Sequence, residues 1–520
     1  MKKMQLTIDR KYLLLPVSSH AAEKRLHFFL GGHLIFDLSV RAAACGEWIY
    51  SYDVSPFAGQ TLELSFEPDI DLPLTLSDTP APRPAEAERY RPRVHFTAPT
   101  GWINDPNGLV FFRERWHMFY QHNPVGPMWG NMHWGHAVSR DLVTWEDLPL
   151  ALRPDSLGTM FSGSAIVDTE NVTGLGTADS PALLLFYTAA GGTSALSEGQ
   201  PYTQCMAWSL DGIHFNKYEH NPVLPHVAGE NRDPKVVRCL AAGGYVMSLY
   251  LTGCTYALFA SEDLLSWREL CRIDLPGDDE CPDFHPLPAP DGRELWVLSG
   301  ASGYYVIGEF DGAAFRPVTP VRCLTGEGSC SYAAQTFSDS PDGRIIRIAW
   351  DRTNIPSAHF QSAMTVPAEL TLCEHEGGLW LRAYPLPAFD GKTLFALSAE
   401  DIRSLRRELP AGPVSISLTL RAKVPVSLSL FGLRLTLDMS ADELRCGKCR
   451  LPLHAEHGLI SLRLLCDRTS TEIWTGGGLG TLCVSHIADP GLCRLELESS
   501  DIFRLESLTA GDLSDCEVRA

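Results

Sequence analysis

The chain has 520 residues, which is too long for one ordinary hydrophobic core and therefore predicts two or three domains. Its composition, 45% hydrophobic and 20% charged, is that of a soluble globular protein and excludes a mainly disordered or membrane-embedded chain. The formal net charge of −20 disfavours nucleic acid or an anionic membrane as a partner, so a small neutral substrate fits better.

The chain begins MKKMQLTIDRKYLLLPV, in which basic residues precede a short apolar run from Tyr12 to Val17. A signal peptide needs an apolar stretch of roughly 7–15 residues, and a membrane span needs about 18. This run is shorter than either, and no other apolar stretch reaches the second length. We therefore expect the chain as given to stay in the cytoplasm.

Short runs that alternate apolar and polar residues follow, such as LHFFL, LIFDLSV and LELSF. They predict a small β domain over residues 1–66. Residues 67–88, EPDIDLPLTLSDTPAPRPAEAE, are rich in proline and acidic residues and lack helical periodicity. We interpret this segment as a linker.

A weak repeat of the form S-x-D-[LG]-x-x-[WF] marks the middle of the chain. Its copies are SRDLVTW at 139–145, SLDGIHF at 209–215, SEDLLSW at 261–267 and a degenerate EFDGAAF at 309–315. Strand-like runs flank each copy, and all-β units of roughly 40–70 residues are typical of propeller blades. With a fifth unit near 330–372, the repeat predicts a five-bladed β-propeller over residues 89–384. A chance recurrence of Asp turns in a β protein is the alternative.

Three acidic residues recur at nearly the same distance upstream of the repeat. Asp105 precedes Ser139 by 34 residues, Asp233 precedes Ser261 by 28, and Glu280 precedes Glu309 by 29. In a propeller this position lies on the innermost strand of a blade. We therefore expect the three carboxylates to line the central channel and to converge at one end of it.

Beyond about residue 385, short alternating strands such as VSISLTLRAKVPVSLSL predict a structural β-sandwich over residues 385–520, which makes the predicted fold class all-β.

The 15 cysteines are odd in number and scattered, unlike a secreted disulfide scaffold. Cys446 and Cys449 in RCGKC lack the further ligands of a zinc site. We interpret them as a turn with two reduced thiols.

The three acids lie in different local sequences. Asp105, in WINDPNG, is flanked by amide side chains that we expect to lower its pKa. Glu280, in DDECPDFHP, lies among other acids that we expect to raise its pKa, whereas Arg232 precedes Asp233 and is expected to hold it ionised. Taken singly, each motif is more typical of a turn, a surface ion pair or a solvated loop.

Taken together, the three acids meet the requirement of glycoside hydrolysis for one ionised and one protonated carboxylate. Asp105 is then the nucleophile and Glu280 the general acid/base. Asp233 accepts hydrogen bonds from sugar hydroxyls that tighten in the transition state.

A larger set of motifs extends this interpretation: WINDPNG, FYQHNP, WGNMHWGHAVSRDLVTW, FSGSAIVD, FYTAAGG, ENRDPKV, ECPDFHPL, YAAQTF and TVPAELTL. From His95 to about Pro387, and more weakly to the end, the chain resembles glycoside hydrolase family 32, the invertase, inulinase and levanase family. The resemblance implies a five-bladed propeller followed by a β-sandwich, and retaining release of terminal fructose from β-D-fructofuranosides without a cofactor. It matches the nucleophile, stabiliser and acid/base to Asp105, Asp233 and Glu280.

The same resemblance implies a fructose pocket made of Asn104, Gln121, Trp129, Phe161, Ser162, Arg232, Cys281 and Trp350. Amide, hydroxyl and guanidinium groups suit sugar hydroxyls, aromatic rings exclude water, and Cys281 is expected to pack against Glu280. His133 and His136 do not predict a metal site, because an offset of three places them on opposite faces of a strand.

Two positions depart from the family pattern: Asp279 stands where an aromatic residue is common, and Phe284-His285 replaces two apolar residues. WGNM, FYTAAGG and PYTQC are more similar to fructan exo-hydrolases such as levanases and exo-inulinases than to invertases. A fructosyltransferase with the same site is the alternative enzyme. A catalytically inactive fructoside-binding protein is less favoured, since binding needs no acid placed for proton transfer. The preferred linkage and the oligomeric state are left open.

Overall fold

The computed structural model describes residues 3–356 and 359–516, and these residues are mostly β-strand, as predicted. The helical elements are single turns: α1 (Ala85–Glu88) and 3-10 turns at Ser55–Phe57, Leu240–Ala242, Pro387–Asp390 and Ser514–Cys516. Within the described ranges, no helix is long and apolar enough to cross a membrane.

Two small antiparallel sheets form the N-terminal part of the chain. Their strands are β1 (Lys3–Thr7), β2 (Tyr12–Val17), β3 (Lys24–Leu30), β4 (His33–Val40), β5 (Trp48–Asp53), β6 (Thr61–Glu67) and β7 (Thr75–Ser77). One sheet has the order β1-β6-β3-β4 and the other β5-β2-β7. Alternate residues, such as Leu13 and Leu15 on β2, are fully buried, and the two sheets share one hydrophobic core.

The segment predicted to be a linker, residues 67–88, contributes to this core. Thr75–Ser77 pairs with β2, and Leu72 and Leu74 pack with the buried side chains of the N-terminal sheets. The alternation of leucines at 72, 74 and 76 is a strand signal that the prolines and acids around it conceal. The helical turn α1 then leads to the next part of the chain.

Five antiparallel sheets follow one another between residues 101 and 385. The first contains β8 (Gly101–Phe112), β9 (Arg115–Asn123), β10 (His133–Ser139) and β11 (Trp145–Leu152). The second contains β12 (Thr159–Asp168), β13 (Ala182–Ala190), β14 (Thr203–Ser209) and β15 (Asn216–Lys217). The third contains β16 (Arg232–Cys239), β17 (Gly244–Thr252), β18 (Thr255–Ser261) and β19 (Arg268–Asp274).

The fourth sheet contains β20 (Asp283–Pro288), β21 (Glu294–Ser299), β22 (Tyr304–Phe310), β23 (Phe315–Pro317) and β24 (Arg322–Cys323). The remaining strands before residue 386 are β25 (Ser331–Thr336), β26 (Ile345–Asp351), β27 (Phe360–Gln361), β28 (Ala363–Met364), β29 (Ala368–His375) and β30 (Gly378–Pro385). The fifth sheet has the order β25-β26-β29-β30, with β28 paired to β26, whereas β27 crosses over and pairs in parallel with β8 of the first sheet.

The first strands of these five sheets contact one another in a closed ring: β8 contacts β12, β12 contacts β16, β16 contacts β20, β20 contacts β25, and β25 contacts β8. Each sheet therefore extends outward from a common centre. Asp105 and Asp233 lie on two of these first strands, and Glu280 lies in the loop that precedes the first strand of the fourth sheet.

The repeat motif forms the turn between the third and fourth strands of a sheet. In the first copy, Asp141 Oδ1 accepts hydrogen bonds from the backbone N–H groups of Val143 (2.9 Å) and Thr144 (2.7 Å). Asp211, Asp263 and Asp311 accept the equivalent pair of bonds in the other copies. An aspartate that closes a turn on its own backbone explains why this residue type recurs.

The C-terminal strands are β31 (Lys392–Glu408), β32 (Val414–Arg421), β33 (Val426–Leu430), β34 (Leu433–Asp438), β35 (Glu443–Cys446), β36 (Cys449–Pro452), β37 (Ile460–Cys466), β38 (Ser470–Thr475), β39 (Gly480–Ser485) and β40 (Arg494–Asp512). They are hydrogen-bonded in the order β36-β35-β34-β33-β40-β32-β37-β38-β39, with β31 also paired to β40. The first part of β40 pairs with β33 and its last part with β32. This strand therefore connects the strands β33–β36 to the strands β32 and β37–β39, around a leucine-rich core.

A buried histidine joins the start of the five-sheet region to these C-terminal strands. His95 Nδ1 lies 3.0 Å from Asp467 Oδ2, and its Nε2 lies 3.0 Å from Glu472 Oε1. Burial opposes a charge on His95, but the two carboxylates outweigh burial and raise its pKa to about 10. Burial also disfavours the Asp467 anion, but His95 and backbone N–H donors lower the pKa of Asp467 to about 2.

Replacing His95 by Gln is expected to lower the free energy of unfolding by about 3–5 kcal/mol, because it leaves buried carboxylates without their cation. Because the folded-state pKa of His95 is raised, its contribution is complete below pH ~6.5 and is lost as the pH rises through about 10. Urea unfolding between pH 6 and 10 measures both effects, with exposed His220→Gln as control. Equal unfolding midpoints for the two variants would contradict the expectation.

Candidate active site

The three carboxylates that were predicted to converge lie together. Asp105 belongs to β8, Asp233 to β16, and Glu280 to the loop before β20. The backbone N–H of Cys281 donates to Asp233 Oδ2 at 3.0 Å, and its Sγ lies 3.5 Å from both Asp233 Oδ2 and Asp105 Oδ2. Cys281 therefore contacts the two carboxylates that are remote from it in sequence.

Backbone irregularities aim these side chains into the centre. The pairing register shifts between Ile103 and Pro106 in β8, Met160 and Gly163 in β12, Arg232 and Lys235 in β16, and Tyr332 and Gln335 in β25. A bulge turns side chains out of the regular strand alternation. Asp233 (φ 66°) and Glu280 (φ 56°) also adopt a left-handed conformation that costs a non-glycine residue about 1–3 kcal/mol and clusters at functional sites.

Asp105 is buried and accepts hydrogen bonds from a relay of polar side chains. Gln121 Nε2 donates to Ser162 Oγ at 2.6 Å, and Ser162 Oγ donates to Asp105 Oδ2 at 2.5 Å. Burial raises the pKa of Asp105, Ser162 and Asn104 oppose that rise, and the charge of Glu280 adds to it. The neighbouring donors therefore act in the predicted direction, but the prediction that the pKa of Asp105 is lowered is wrong, because loss of water outweighs them.

Gly163 allows the bulge that carries Ser162. A Cβ atom at this position would lie 1.9 Å from the carbonyl oxygen of Phe186 on β13. Only glycine therefore permits this approach of β12 to β13, which places the Ser162 hydroxyl against Asp105.

Asp233 is almost fully buried, and burial raises its pKa to about 7 even though Arg232 opposes the shift. Arg232 Nε lies 3.8 Å from Asp233 Oδ2, whereas Arg232 Nη2 donates to Glu280 Oε1 at 2.6 Å. The prediction that Arg232 holds Asp233 ionised is thus wrong. The closer carboxylate partner of this guanidinium is Glu280.

Glu280 is held by two donors from other sheets. Besides Arg232, Tyr332 Oη donates to Glu280 Oε2 at 2.9 Å. Two acids expected to crowd Glu280 have other partners: Asp278 accepts backbone N–H groups of the loop before β22, and Asp283 lies 3.5 Å from Lys235. The expected cluster of like charge is therefore smaller than the sequence indicated.

Aromatic rings form the walls of the site. Trp129 is 56% exposed, and its ring centroid lies 6.0 Å from that of Phe161, which in turn lies 5.6 Å from Tyr202. On another side, Trp350 lies 6.2 Å from Tyr332. The two groups provide apolar surfaces on which a sugar ring can pack.

Several polar atoms near these groups are buried without a partner among the described residues: Asn107 Nδ2, Gln121 Oε1 and Trp350 Nε1. Unpaired buried polar atoms are costly and rare in native proteins. These atoms are therefore available for hydrogen bonds to water or to a polar ligand.

Sequence reasoning missed Tyr332, Tyr202 and Trp102. Tyr332 opens the YAAQTF motif and contacts Glu280, while Trp102 donates to Asn104 Oδ1 at 3.0 Å. The motifs were recognised, but nothing in them distinguishes a tyrosine aimed at a carboxylate from one in the core.

The N-terminal sheets contact the two loops that carry the exposed aromatic wall. The Asn131 side chain bonds both the N–H and the C=O of Ser39, at 2.7 Å each, two residues after Trp129. Asp37 Oδ1 accepts backbone N–H groups at positions 195 (3.0 Å) and 196 (3.3 Å), in the loop that leads to Tyr202. The N-terminal part of the chain thereby fixes both loops.

Comparison with known proteins places this arrangement in context. A family model described as "Glycosyl hydrolases family 32 N-terminal domain" matches residues 95–383, which contain the three carboxylates and every wall residue. A levanase of Bacillus subtilis (strain 168) is 32% identical over 488 residues, covering 81% of this chain and 70% of that protein. An invertase of Schizosaccharomyces pombe is 34% identical over 313 residues, and there the match spans about half of each protein, 54% and 53%.

Solved structures share the fold. An exo-inulinase from Aspergillus awamori superposes with a TM-score of 0.72 at 24% identity, covering 81% of this chain and 97% of that one. A family 32 β-fructofuranosidase from Bombyx mori superposes with a TM-score of 0.62 at 26% identity, covering 83% and 95%. The likeness therefore extends over most of the chain.

Proposed function

The chain belongs to glycosyl hydrolase family 32 and is a glycoside hydrolase of the β-fructofuranosidase type, and we propose that it releases terminal fructose from β-D-fructofuranosides with retention of configuration. The observation that carries the proposal is the convergence of Asp105, Asp233 and Glu280 around Cys281. Two carboxylates able to flank one glycosidic bond are the requirement of this chemistry.

In the first step, the Asp105 carboxylate attacks C2 of the fructosyl unit while the bond from C2 to the leaving oxygen breaks. Glu280 transfers its proton to that oxygen. The products are the released alcohol or sugar and a fructosyl ester of Asp105. Ser162 and Gln121 orient the attacking carboxylate through the relay that ends on Oδ2.

In the second step, the Glu280 carboxylate removes a proton from water, which attacks C2 and releases fructose and the Asp105 carboxylate. Arg232 and Tyr332 hold Glu280 in one orientation for both steps. Asp233 accepts hydrogen bonds from the sugar hydroxyls, which strengthen as the ring approaches the oxocarbenium-like transition state.

We further infer that the five sheets are the blades of a β-propeller over residues 89–384. The closed ring of first strands supports this inference. We also propose that residues 385–520 form a β-sandwich and residues 1–66 the core of an additional N-terminal domain, because each region has a hydrophobic core of its own.

The substrates proposed are sucrose, fructo-oligosaccharides, and fructans of the levan or inulin type. A levanase and an invertase are among the similar proteins. The proposal is tested by incubating the protein with sucrose, an inulin-type trisaccharide or levan and measuring the free fructose and the oligosaccharides that form. Fructose is expected to dominate; longer oligosaccharides would instead indicate transfer, and binding without turnover would indicate a sugar-binding protein. With methanol as acceptor, retention predicts methyl β-fructofuranoside.

The contacts between the N-terminal sheets and the loops that carry the aromatic wall predict a role for these sheets in substrate affinity. Replacing Asp37 by Ala removes the acceptor for two backbone N–H groups of the loop before Tyr202 and is expected to raise KM for a fructan trisaccharide about three- to tenfold, with kcat nearly unchanged. Initial-rate kinetics measure this split, with exposed Glu23→Ala in the same domain as control. A fall in kcat at constant KM would contradict a role of this contact in substrate binding.

A further inference from the structure

Two cysteines and an aspartate from distant parts of the chain meet beside the active site. The Cys330 thiol precedes β25, Asp351 ends β26, and Cys483 lies on β39 of the C-terminal sheet. One potential ligand atom from each residue lies within 4.8 Å of the other two. No other such group of three occurs among residues 3–356 and 359–516.

The aspartate of this group lacks a counter-ion. Asp351 is fully buried, and its Oδ1 accepts only the thiol of Cys330, at 3.2 Å. Its Oδ2 is buried without a hydrogen-bond partner, and no ion pair involving Asp351 occurs within 4.0 Å in the described part of the chain. An anion in such a position is destabilised by several kcal/mol unless a cation accompanies it.

Among the described residues, no cation lies beside the two thiols either. The hydrogen bond with Cys483 lowers the pKa of Cys330, but burial and the charge of Asp351 raise it to about 11. The two thiols and the carboxylate offer soft and hard donors at one point. Thiolate sulfur together with a carboxylate oxygen suits Zn²⁺ better than Mg²⁺ or Ca²⁺, which prefer oxygen ligands alone.

We propose that Cys330, Asp351 and Cys483 bind a Zn²⁺ ion. Zinc–sulfur bonds of about 2.3 Å in a tetrahedral site place two sulfurs roughly 3.8 Å apart, which is inside the 4.8 Å that contains all three donor atoms. Binding releases the two thiol protons to solvent and leaves both sulfurs as thiolates. Cys330 is partly exposed, so water can fill the fourth position.

A disulfide between Cys330 and Cys483 is the competing interpretation. It would remove the thiol proton that Asp351 Oδ1 accepts and leave both oxygens of a buried carboxylate unpaired. A zinc ion instead satisfies the carboxylate and both sulfurs. The carboxylate therefore decides in favour of the metal.

The proposed ion would join the fifth sheet to the C-terminal sheet directly behind the active site. Cys330 lies two residues before Tyr332, which contacts Glu280, and Asp351 follows the wall residue Trp350. Zinc would thus fix the backbone on which these two aromatic side chains stand. Its role is structural, and the inference does not depend on the proposed substrate.

The proposal is tested by measuring the zinc content of the full chain by elemental mass spectrometry. The protein is purified under reducing conditions without chelator. About one Zn²⁺ per chain is expected, falling at least tenfold in Asp351→Asn and in Cys483→Ala. The double variant Cys446→Ala/Cys449→Ala, which removes the other nearby cysteine pair, is expected to retain its zinc. Asp351→Asn keeps the shape of the side chain and serves if Cys483→Ala fails to fold.

Chelator-treated protein is expected to recover a higher Tm when ZnCl2 is restored, and the Asp351→Asn variant is not. Absence of zinc from the wild-type protein even after addition of ZnCl2 would overturn the proposal. So would loss of zinc only in the Cys446/Cys449 variant, or a Cys330–Cys483 disulfide found by peptide mass spectrometry in protein prepared under reducing conditions.

Discussion

Replacing Asp105 by Asn is expected to lower kcat for sucrose hydrolysis by about 10⁴-fold or more, because the amide cannot form the fructosyl ester. Asn fills the same space and can still accept a hydrogen bond from Ser162, so folding and sugar binding are expected to persist. Initial rates of fructose release measure the loss, and thermal unfolding checks the fold.

A matched control for Asp105→Asn is the same exchange at Asp147. Asp147 is solvent-exposed, and its carboxylate accepts a hydrogen bond from Tyr120 away from the site. Asp147→Asn is expected to change stability rather than chemistry. If Asp105→Asn kept more than a tenth of wild-type activity after correction for deamidation, the nucleophile would have to be another residue.

Glu280→Gln is expected to reduce kcat for sucrose by about 10³-fold, since the leaving oxygen then receives no proton from the enzyme. For a fructosyl donor whose leaving group needs no proton, such as fructosyl fluoride, the first step is expected to remain fast. Azide needs no general base, so it can replace water in the second step. It then releases the fructosyl group as β-fructosyl azide and restores turnover. Kinetics with both donors, with and without azide, measure these effects.

The fluoride donor separates the two assignments. Asp105→Asn is expected to be inactive toward sucrose and fluoride alike, because both require the nucleophile. Glu280→Gln is expected to be nearly inactive toward sucrose but to turn over fructosyl fluoride when azide is present. Equal losses with the two donors in Glu280→Gln would mean that Glu280 is not the general acid/base.

The position of the acids was predictable from sequence, but their electrostatics were not. Constant spacing from a turn motif to an upstream acid is a local property of each sheet, so it placed Asp105 and Asp233 on innermost strands. Their pKa values depend on burial by strands far away in sequence, and burial raises both. Local sequence cannot indicate that loss of water.

Neighbours in sequence were also poor guides to partners. Arg232 precedes Asp233, yet successive strand residues face opposite ways and the bulge in β16 changes their directions further, so Arg232 contacts Glu280 more closely. The predicted linker shows the same limit: its prolines hid an alternating leucine pattern that pairs Thr75–Ser77 with β2.

The parallel pairing of β27 with β8 has a consequence for synthesis on the ribosome. Gly101 donates its N–H to the carbonyl of His359, and Phe360–Gln361 completes the edge beside Trp102. Until residue 361 has emerged, the Gly101–Trp102 end of β8 lacks this partner, although Val110 can already pair with Ser338. An unpaired strand edge is exposed to aggregation. The strand that bears Asp105 is thus completed by a segment that is translated long after it, so nascent chains shorter than about 361 residues are the stage at which chaperone protection of this strand matters most.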